Sequence, residues 1–245
     1  MIDHGMTTLE SLGNLSNESA YYQKDDQSIR LKAVKEAAIS LGAQSGLYYE
    51  SGQIEKFLNR NGDELDTFFN FNMLLIGDVL PPVIDDAKGS VKVSNDAKTI
   101  HAAGNVYAII KQVRFVTAPP TWRSYFDSLS VPKPDMPNSV LLPKDENERK
   151  IWQQGILTGW SEGIKQAITI YRIDLNTLVR DYTGMLLYER LLTEGLISSV
   201  YVKSSYSAIV GDKNKVSLGN RQLMIKDEPQ LLLKSNLWQP VVSKS

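Results

Sequence analysis

Apolar and polar positions alternate with a helical period early in the chain. Leu31, Val34, Ala38, Leu41 and Ser45 recur at spacings of three and four, so they form one stripe on one helix face. Asp26 or Ser28 can cap that helix. Gly42 and Gly46 lie on it too, with Ala38 one step earlier. A glycine weakens a helix by roughly 1 kcal/mol relative to alanine. Close approach of another backbone is the usual compensation, so the pattern predicts tight helix packing inside the fold. Ser51 and Gly52 predict an interruption, with the helix resuming through Ile54 and Phe57 to Leu58. Asn61 and Gly62 predict a turn, and Asp63 a cap for a helix over residues 64–76. Leu65, Phe68, Phe69, Phe71, Met73, Leu74 and Leu75 make that segment apolar almost all round. It reads as a central, buried helix, closed by Pro81 and Pro82.

The next block reads as strand and loop. Residues 85–96 are loop-like, with a short strand at Val91–Val93. Residues 105–117 alternate as one long strand, apolar on both sides in its first half, which places it centrally in a sheet. Pro119 and Pro120 fix the backbone and remove donors, so the strand must turn a corner there. Trp122, Arg123 and Tyr125 follow. Either Trp122 plugs the core while Arg123 pairs with a carboxylate, or the two form an anchor on an interface. Four prolines make residues 130–144 an extended, semi-rigid connector, pinned by Val140, Leu141 and Leu142.

A long helix should start near Asp145, with Glu146 and Glu148 in its first turn, where the helix dipole favours negative charge. Its apolar period runs through Ile151, Trp160, Ile168 and Leu178 to Tyr182. Gly155, Gly159 and Gly163 recur every four residues. They would form a groove that seats another helix or Trp122. A break is expected near Thr183 and Gly184, and a C-cap at Gly195. Short strands follow at 200–202, 206–210, 215–218 and 222–225, with Gly219 and Asn220 as a hairpin turn. Leu231 to Leu233 and Trp238 can still pack. The expected fold is α+β: long helices packed with a small mixed or antiparallel sheet, in a single domain over residues 27–240 behind a flexible leader, residues 1–26.

Charge and chemistry narrow the function by exclusion. The chain has 27 basic and 28 acidic residues, a net charge of −1, without the positive excess of a general nucleic-acid surface. No cysteine is present, which excludes disulfides, cysteine nucleophiles and thiolate metal sites. The two histidines, His4 and His101, stand apart and read as structural. Asp85 and Asp86 are adjacent carboxylates, better explained by a solvated turn than by acid–base work. No phosphate-binding, zinc-protease or nucleophile-elbow motif occurs. No run of apolar residues is long enough for a membrane-spanning helix. Residues 1–20 lack the pattern of a signal peptide.

Several stretches together resemble one family. They are Glu36-Ala-Ala-Ile-Ser-Leu-Gly-Ala-Gln-Ser-Gly-Leu47, Val79-Leu-Pro-Pro-Val83, Phe115-Val-Thr-Ala-Pro-Pro-Thr-Trp-Arg-Ser-Tyr125 and Leu141-Leu-Pro-Lys144, leading to Trp152. Gly159-Trp160, Gly163-Ile164 and Gly184-Met185 continue the series. In this order they resemble the DotC/TraI lipoproteins of type IVB secretion and conjugation systems, from about residue 30 to about residue 230. The resemblance implies a structural part of an outer-membrane core complex, facing the periplasm and held by an N-terminal lipid. It implies a DotD-like lipoprotein and a DotH-like channel component as partners, self-association in a ring, no cofactor, no metal and no catalysis. The chain itself shows neither the lipidated cysteine nor a signal segment. The candidates for partner contact are Trp122, Arg123, Tyr125, Gly155, Gly159 and Gly163. Two other readings compete: a periplasmic ligand-binding or cell-wall-modifying protein, and a soluble cytosolic module.

Overall fold

A computed structural model describes residues 9, 11–13, 24–88, 91–93, 100–102, 105–211 and 216–232. The architecture is α+β, with long helices and small antiparallel sheets of two strands each. Contacts group the chain into two compact units. One takes Met1–Phe68 and Trp122–Asn176, the other Phe69–Thr121 and Thr177–Ser245.

The first unit is built on helix α1 (Lys24–Arg60), the short α2 (Gly62–Phe68) and the first part of α3 (Glu146–Thr193). The predicted stripe is what α1 buries. Val34, Ala38 and Leu41 pack with Trp152 and Ile156 of α3, all 3% exposed or less. Each large apolar side chain so buried contributes roughly 1.5–3 kcal/mol. Leu9 and Leu12, inside the expected leader, pack on the same cluster. The Trp152 indole N–H donates to the Leu12 carbonyl at 2.8 Å. The rest of that leader, residues 1–8, 10 and 14–23, lies outside the described residues.

Two expected features of α1 differ. The helix begins at Lys24, so Asp26 and Ser28 lie inside it, and it runs through Ser51 and Gly52 unbroken. Nothing lies within 4 Å of where a Gly52 side chain would start, so this glycine is simply tolerated in a helix held elsewhere.

The buried helix expected over residues 64–76 does not form. Helix α2 ends at Phe68, and a short 3₁₀ turn, Phe71–Leu74, follows a non-helical Asn70. Only Phe71 and Leu74, three residues apart, are buried, while Phe68 and Met73 are 71% and 78% exposed. Apolar density without a single face gave that segment no one side to bury.

The second unit contains strands β1 (Val79–Leu80), β2 (Val83–Lys88), β3 (Val91–Val93), β4 (Ile100–Ala102), β5 (Asn105–Lys111) and β6 (Arg114–Phe115). Strand β2 pairs antiparallel with β5, β1 with β6, and β3 with β4. Asp85 and Asp86 therefore sit in a strand, opposite Ala108 and Tyr107, and not in a turn. The strand expected over residues 105–117 is split and is not central. Val83 pairs with Lys111 and Leu80 with Arg114. Pro81 and Pro82 occupy the gap between those pairs, and prolines cannot donate to a ladder. Gln112 and Val113 opposite them leave the strand for that reason. The prolines thus separate β1 from β2 instead of closing a helix.

The last part of α3 completes this unit. Ile84 of β2 packs with Tyr188, Leu191 and Ile197. No break occurs at Gly184. A Cβ there would lie 2.7 Å from the Ile84 carbonyl oxygen, so the glycine admits the strand against an unbroken helix. Gly195 ends the region as expected, at φ 71°. Its N–H reaches the Leu192 carbonyl at 3.1 Å, and the Leu196 N–H reaches Leu191 at 2.9 Å, which satisfies the last carbonyls of the helix.

Strands β7 (Tyr201–Gly211) and β8 (Val216–Asp227) then form one long antiparallel ribbon. Gly219 and Asn220 are not its turn. Asn220 pairs with Ser207 inside the ladder, and Gly211 pairs with Val216 at its end. Leu231 bridges back to Ile197, whereas Leu233 and Trp238 lie outside the described residues.

Candidate interaction surface

Three local constructions in the first unit hold the residues that the sequence singled out. The first is a helix seam. A Cβ on Gly159 or Gly163 would overlap the carbonyl oxygen of Ile39 or Ala43. One on Gly155 would lie 2.8 Å from the Ala38 Cβ and 3.1 Å from the Lys35 carbonyl. Reciprocally, Gly42 and Gly46 face the backbone of Ile156 and Trp160. Glycines of α1 and α3 thus interlock backbone against backbone. The groove is real and seats α1, not Trp122. Gly155, Gly159 and Gly163 are buried within the chain at this seam.

The second is a latch at the double-proline corner. Residues Trp122–Leu129 form a 3₁₀ helix whose one face buries Trp122, Phe126 and Leu129. The Trp122 ring is 2% exposed, and Phe126 stacks on Tyr171 at 5.7 Å. The Trp122 Nε1–H donates to Asp66 Oδ1 of α2 at 2.7 Å. Arg123 grips the same carboxylate with both terminal nitrogens, at 2.6 and 3.1 Å, and its guanidinium lies 4.3 Å from the Trp122 ring centre. Gly62 leaves room for this arrangement, because a Cβ there would sit 3.3 Å from Arg123 Nη2. The Arg123 hydrogen bond holds the Asp66 carboxyl below the usual carboxylate range. Desolvation opposes it, and the Trp122 N–H and the Arg123 charge add to it. The same bond raises Arg123. Tyr125 is half-buried. The structure therefore uses Trp122 and Arg123 as a core plug and its ion pair.

The third was not visible in the sequence. Glu148, buried at the start of α3, accepts from Arg30 of α1 at 2.5 and 2.9 Å. The Arg30 guanidinium also donates to the carbonyls of Val140 and Leu142, at 2.9 and 3.2 Å. The Lys144 N–H donates to Glu148 at 2.8 Å, and the Glu148 N–H to the side chain of Asp145 at 2.8 Å. One clamp caps α3, pins the end of the proline-rich connector and ties both to α1. Helix-dipole reasoning found Glu148 but not its partner. In the second unit Asp181, also buried, binds Lys111 and Arg180 in a similar way.

Between these fixed points a cleft of about 950 Å³ opens beside the C-terminal half of α1, lined by Tyr48, Ser51, Gly52, Lys56 and Arg60 and closed by residues 129–131. A smaller apolar slot of about 220 Å³ continues from it at Tyr48 and Tyr49 toward Leu41, Pro134 and Met136. Among the described residues no group of three or more His, Asp or Glu could hold a metal ion. The described helices include none long and apolar enough to cross a membrane.

The family comparison agrees with the residues that carried the resemblance. A family model described as type IV secretory system, conjugal DNA–protein transfer, matches residues 28–240. No curated protein matches the sequence.

Proposed function

Because the chain belongs to the family of type IV secretory system, conjugal DNA–protein transfer proteins, we propose that it is a DotC/TraI-type structural subunit of the outer-membrane core complex. In this reading it sits at the periplasmic face, held by a lipid upstream of the folded part. It works with a DotD-like lipoprotein to bring a DotH-like channel component to the outer membrane, and it self-associates in a ring. It performs no chemistry and binds no nucleic acid directly. The observation that carries the reading is the extent of the family match, which takes in almost all of both folded units. The internal clamps support it. Within the first unit a glycine seam and a half-buried arginine hold α1 against the first part of α3, and elements held in this way suit a scaffold whose function is to hold partners in place.

The test is affinity capture from the detergent-solubilised envelope of the native host, with the native gene tagged at Ser245. Recovery of a large complex containing a second lipoprotein and an outer-membrane channel component is expected. Recovery of the protein alone, from the soluble fraction, would overturn the assembly role and redirect attention to ligand and hydrolase assays.

A further inference from the structure

The cleft and slot adjoin beside α1, with Tyr48 and Tyr49 lining both, and together they make up a trough along the helix. From Leu41 to Arg60 the helix rises roughly 28 Å at 1.5 Å per residue. That length accepts about eight or nine residues of extended chain at 3.3 Å each. We propose that this trough docks an extended polypeptide segment of a partner subunit, acidic at the end that meets Lys56 and Arg60.

Three observations select that occupant. The wall opposite α1 is the proline-rich connector. Val131, Lys133 and Met136 each precede a proline and are held extended. Residues 132–137 make no backbone hydrogen bond to any described residue. Their carbonyls, and the N–H groups of Lys133, Asp135 and Met136, can therefore pair with an added strand. Second, the trough's charged lining is Glu55 against Lys56, Arg60 and Lys133. No ion pair among the described residues engages those three cations. Two of them stand one turn apart at the same end, which favours a carboxylate there.

Third, apolar surface is offered along the rest of the trough. Tyr48, Phe57 and Met136 are 45%, 55% and 58% exposed, and aromatic and methionine side chains are enriched at interfaces. An acyl chain would leave the connector's backbone groups unpaired. The identity of the partner rests on the assembly role; peptide selection tests the trough itself, and capture from the envelope tests that role separately.

Gly52 supplies the blocking variant. It lines the cleft, and a side chain there meets nothing within 4 Å, so Gly52→Trp fills the trough without disturbing α1. The probe is a random twelve-residue peptide library displayed on phage and selected on the immobilised full chain. Enriched sequences are expected to carry Asp or Glu at one end and apolar residues at alternate positions. Fluorescence polarisation of a synthetic enriched peptide should show binding about ten-fold weaker or worse in Gly52→Trp and in Tyr48→Ala. The exposed pair of changes Lys56→Glu and Arg60→Glu should invert the preference from acidic to basic peptides. No enrichment over an unrelated immobilised protein overturns the proposal. So do enriched peptides that bind Gly52→Trp and the charge-reversed protein as tightly as the parent. A trough that selects no peptide but binds glycan oligomers, displaced by Gly52→Trp, overturns it as well.

Discussion

Two glycines of α1, six residues apart, should respond to alanine with opposite signs. In an open helical position Gly→Ala gains about 1 kcal/mol from propensity alone. Gly52 is such a position, with nothing within 4 Å of the new methyl group. Gly46 is not. Its Cβ would overlap the Trp160 carbonyl oxygen and lie 3.0 Å from the Trp160 Cα. Ordinary carbon contacts need about 3.5–4.0 Å, so the helices must part locally by roughly 0.5–1 Å. Overpacking of this kind costs about 1–3 kcal/mol. A gap of that size also forfeits about a quarter to a half of each dispersion contact along the seam. Set against the propensity gain, Gly46→Ala should lose about 2 kcal/mol net. Gly52→Ala should gain about 1 kcal/mol. Urea unfolding read by tryptophan fluorescence should show the two midpoints move apart with unchanged m values. At about 2–4 °C per kcal/mol for a chain of this size, Tm should fall by roughly 4–8 °C in the first variant and rise by roughly 2–4 °C in the second. Midpoints that shift together, in either direction, would refute the seam as the reason for these glycines.

Other substitutions test the remaining constructions. Glu148→Ala leaves the Arg30 guanidinium, 17% exposed, without its partner and uncaps α3; a loss of about 3 kcal/mol in urea unfolding is expected. Trp122→Ala removes a buried ring and its bond to Asp66, so it should cost about 3–5 kcal/mol and unfold part of the first unit instead of yielding a folded, assembly-deficient monomer; circular dichroism separates the two results. Asp66 has a depressed pKa in the fold, so its contribution is present above the unfolded carboxylate value of about 3.9 and disappears as pH falls through the lower folded value. The stability difference between the parent and Asp66→Asn, measured against pH, should be flat above that window and shrink below it. Burial raises the Tyr188 phenol, opposed in part by the Val200 backbone amide, and its hydroxyl makes no well-formed hydrogen bond. Tyr188→Phe should therefore gain about 1 kcal/mol at neutral pH. It should also remove the loss of stability that the parent shows above about pH 10, where only the unfolded phenol ionises.

What the sequence made legible was periodicity. The stripe from Val34 to Leu41, the glycines spaced by four and the Gly195 cap each follow from a local repeat or a single special residue, and each stands where expected. Isolated glycines were harder. Gly52 and Gly184 look alike in sequence, yet one faces open space and the other a strand, and neither breaks its helix. The strand over residues 105–117 is split by prolines about thirty residues earlier, an effect that no local pattern in the strand itself carries. The Arg30–Glu148 and Lys111–Asp181 pairs join residues 118 and 70 apart. Charged residues spaced like that have no period to detect. At the candidate surface, residue types enriched in interfaces were also the types that fill cores, and burial decided for the core at Trp122.

The same internal packing that buries Trp122 and the α3 glycines explains why a usable surface remains beside them. Helix α1 is held at Gly42 and Gly46, and Tyr48 and Gly52 lie roughly 80–160° round the helix from those positions. Fixing one face of α1 thus orients another without covering it. The segment facing it is fixed at both ends: Trp122 and Arg123 are latched to Asp66, and Val140 and Leu142 are held by Arg30. Between those anchors, residues 132–137 make no backbone hydrogen bond to any described residue, while three prolines limit the shapes they can take. A loop free at one end would lose much of its entropy on binding. A proline-stiffened strap pinned at both ends has already lost most of it, so more of the contact energy in the trough is available for affinity. Loss of the Arg30–Glu148 clamp should therefore weaken peptide binding as well as stability, although neither residue lines the trough.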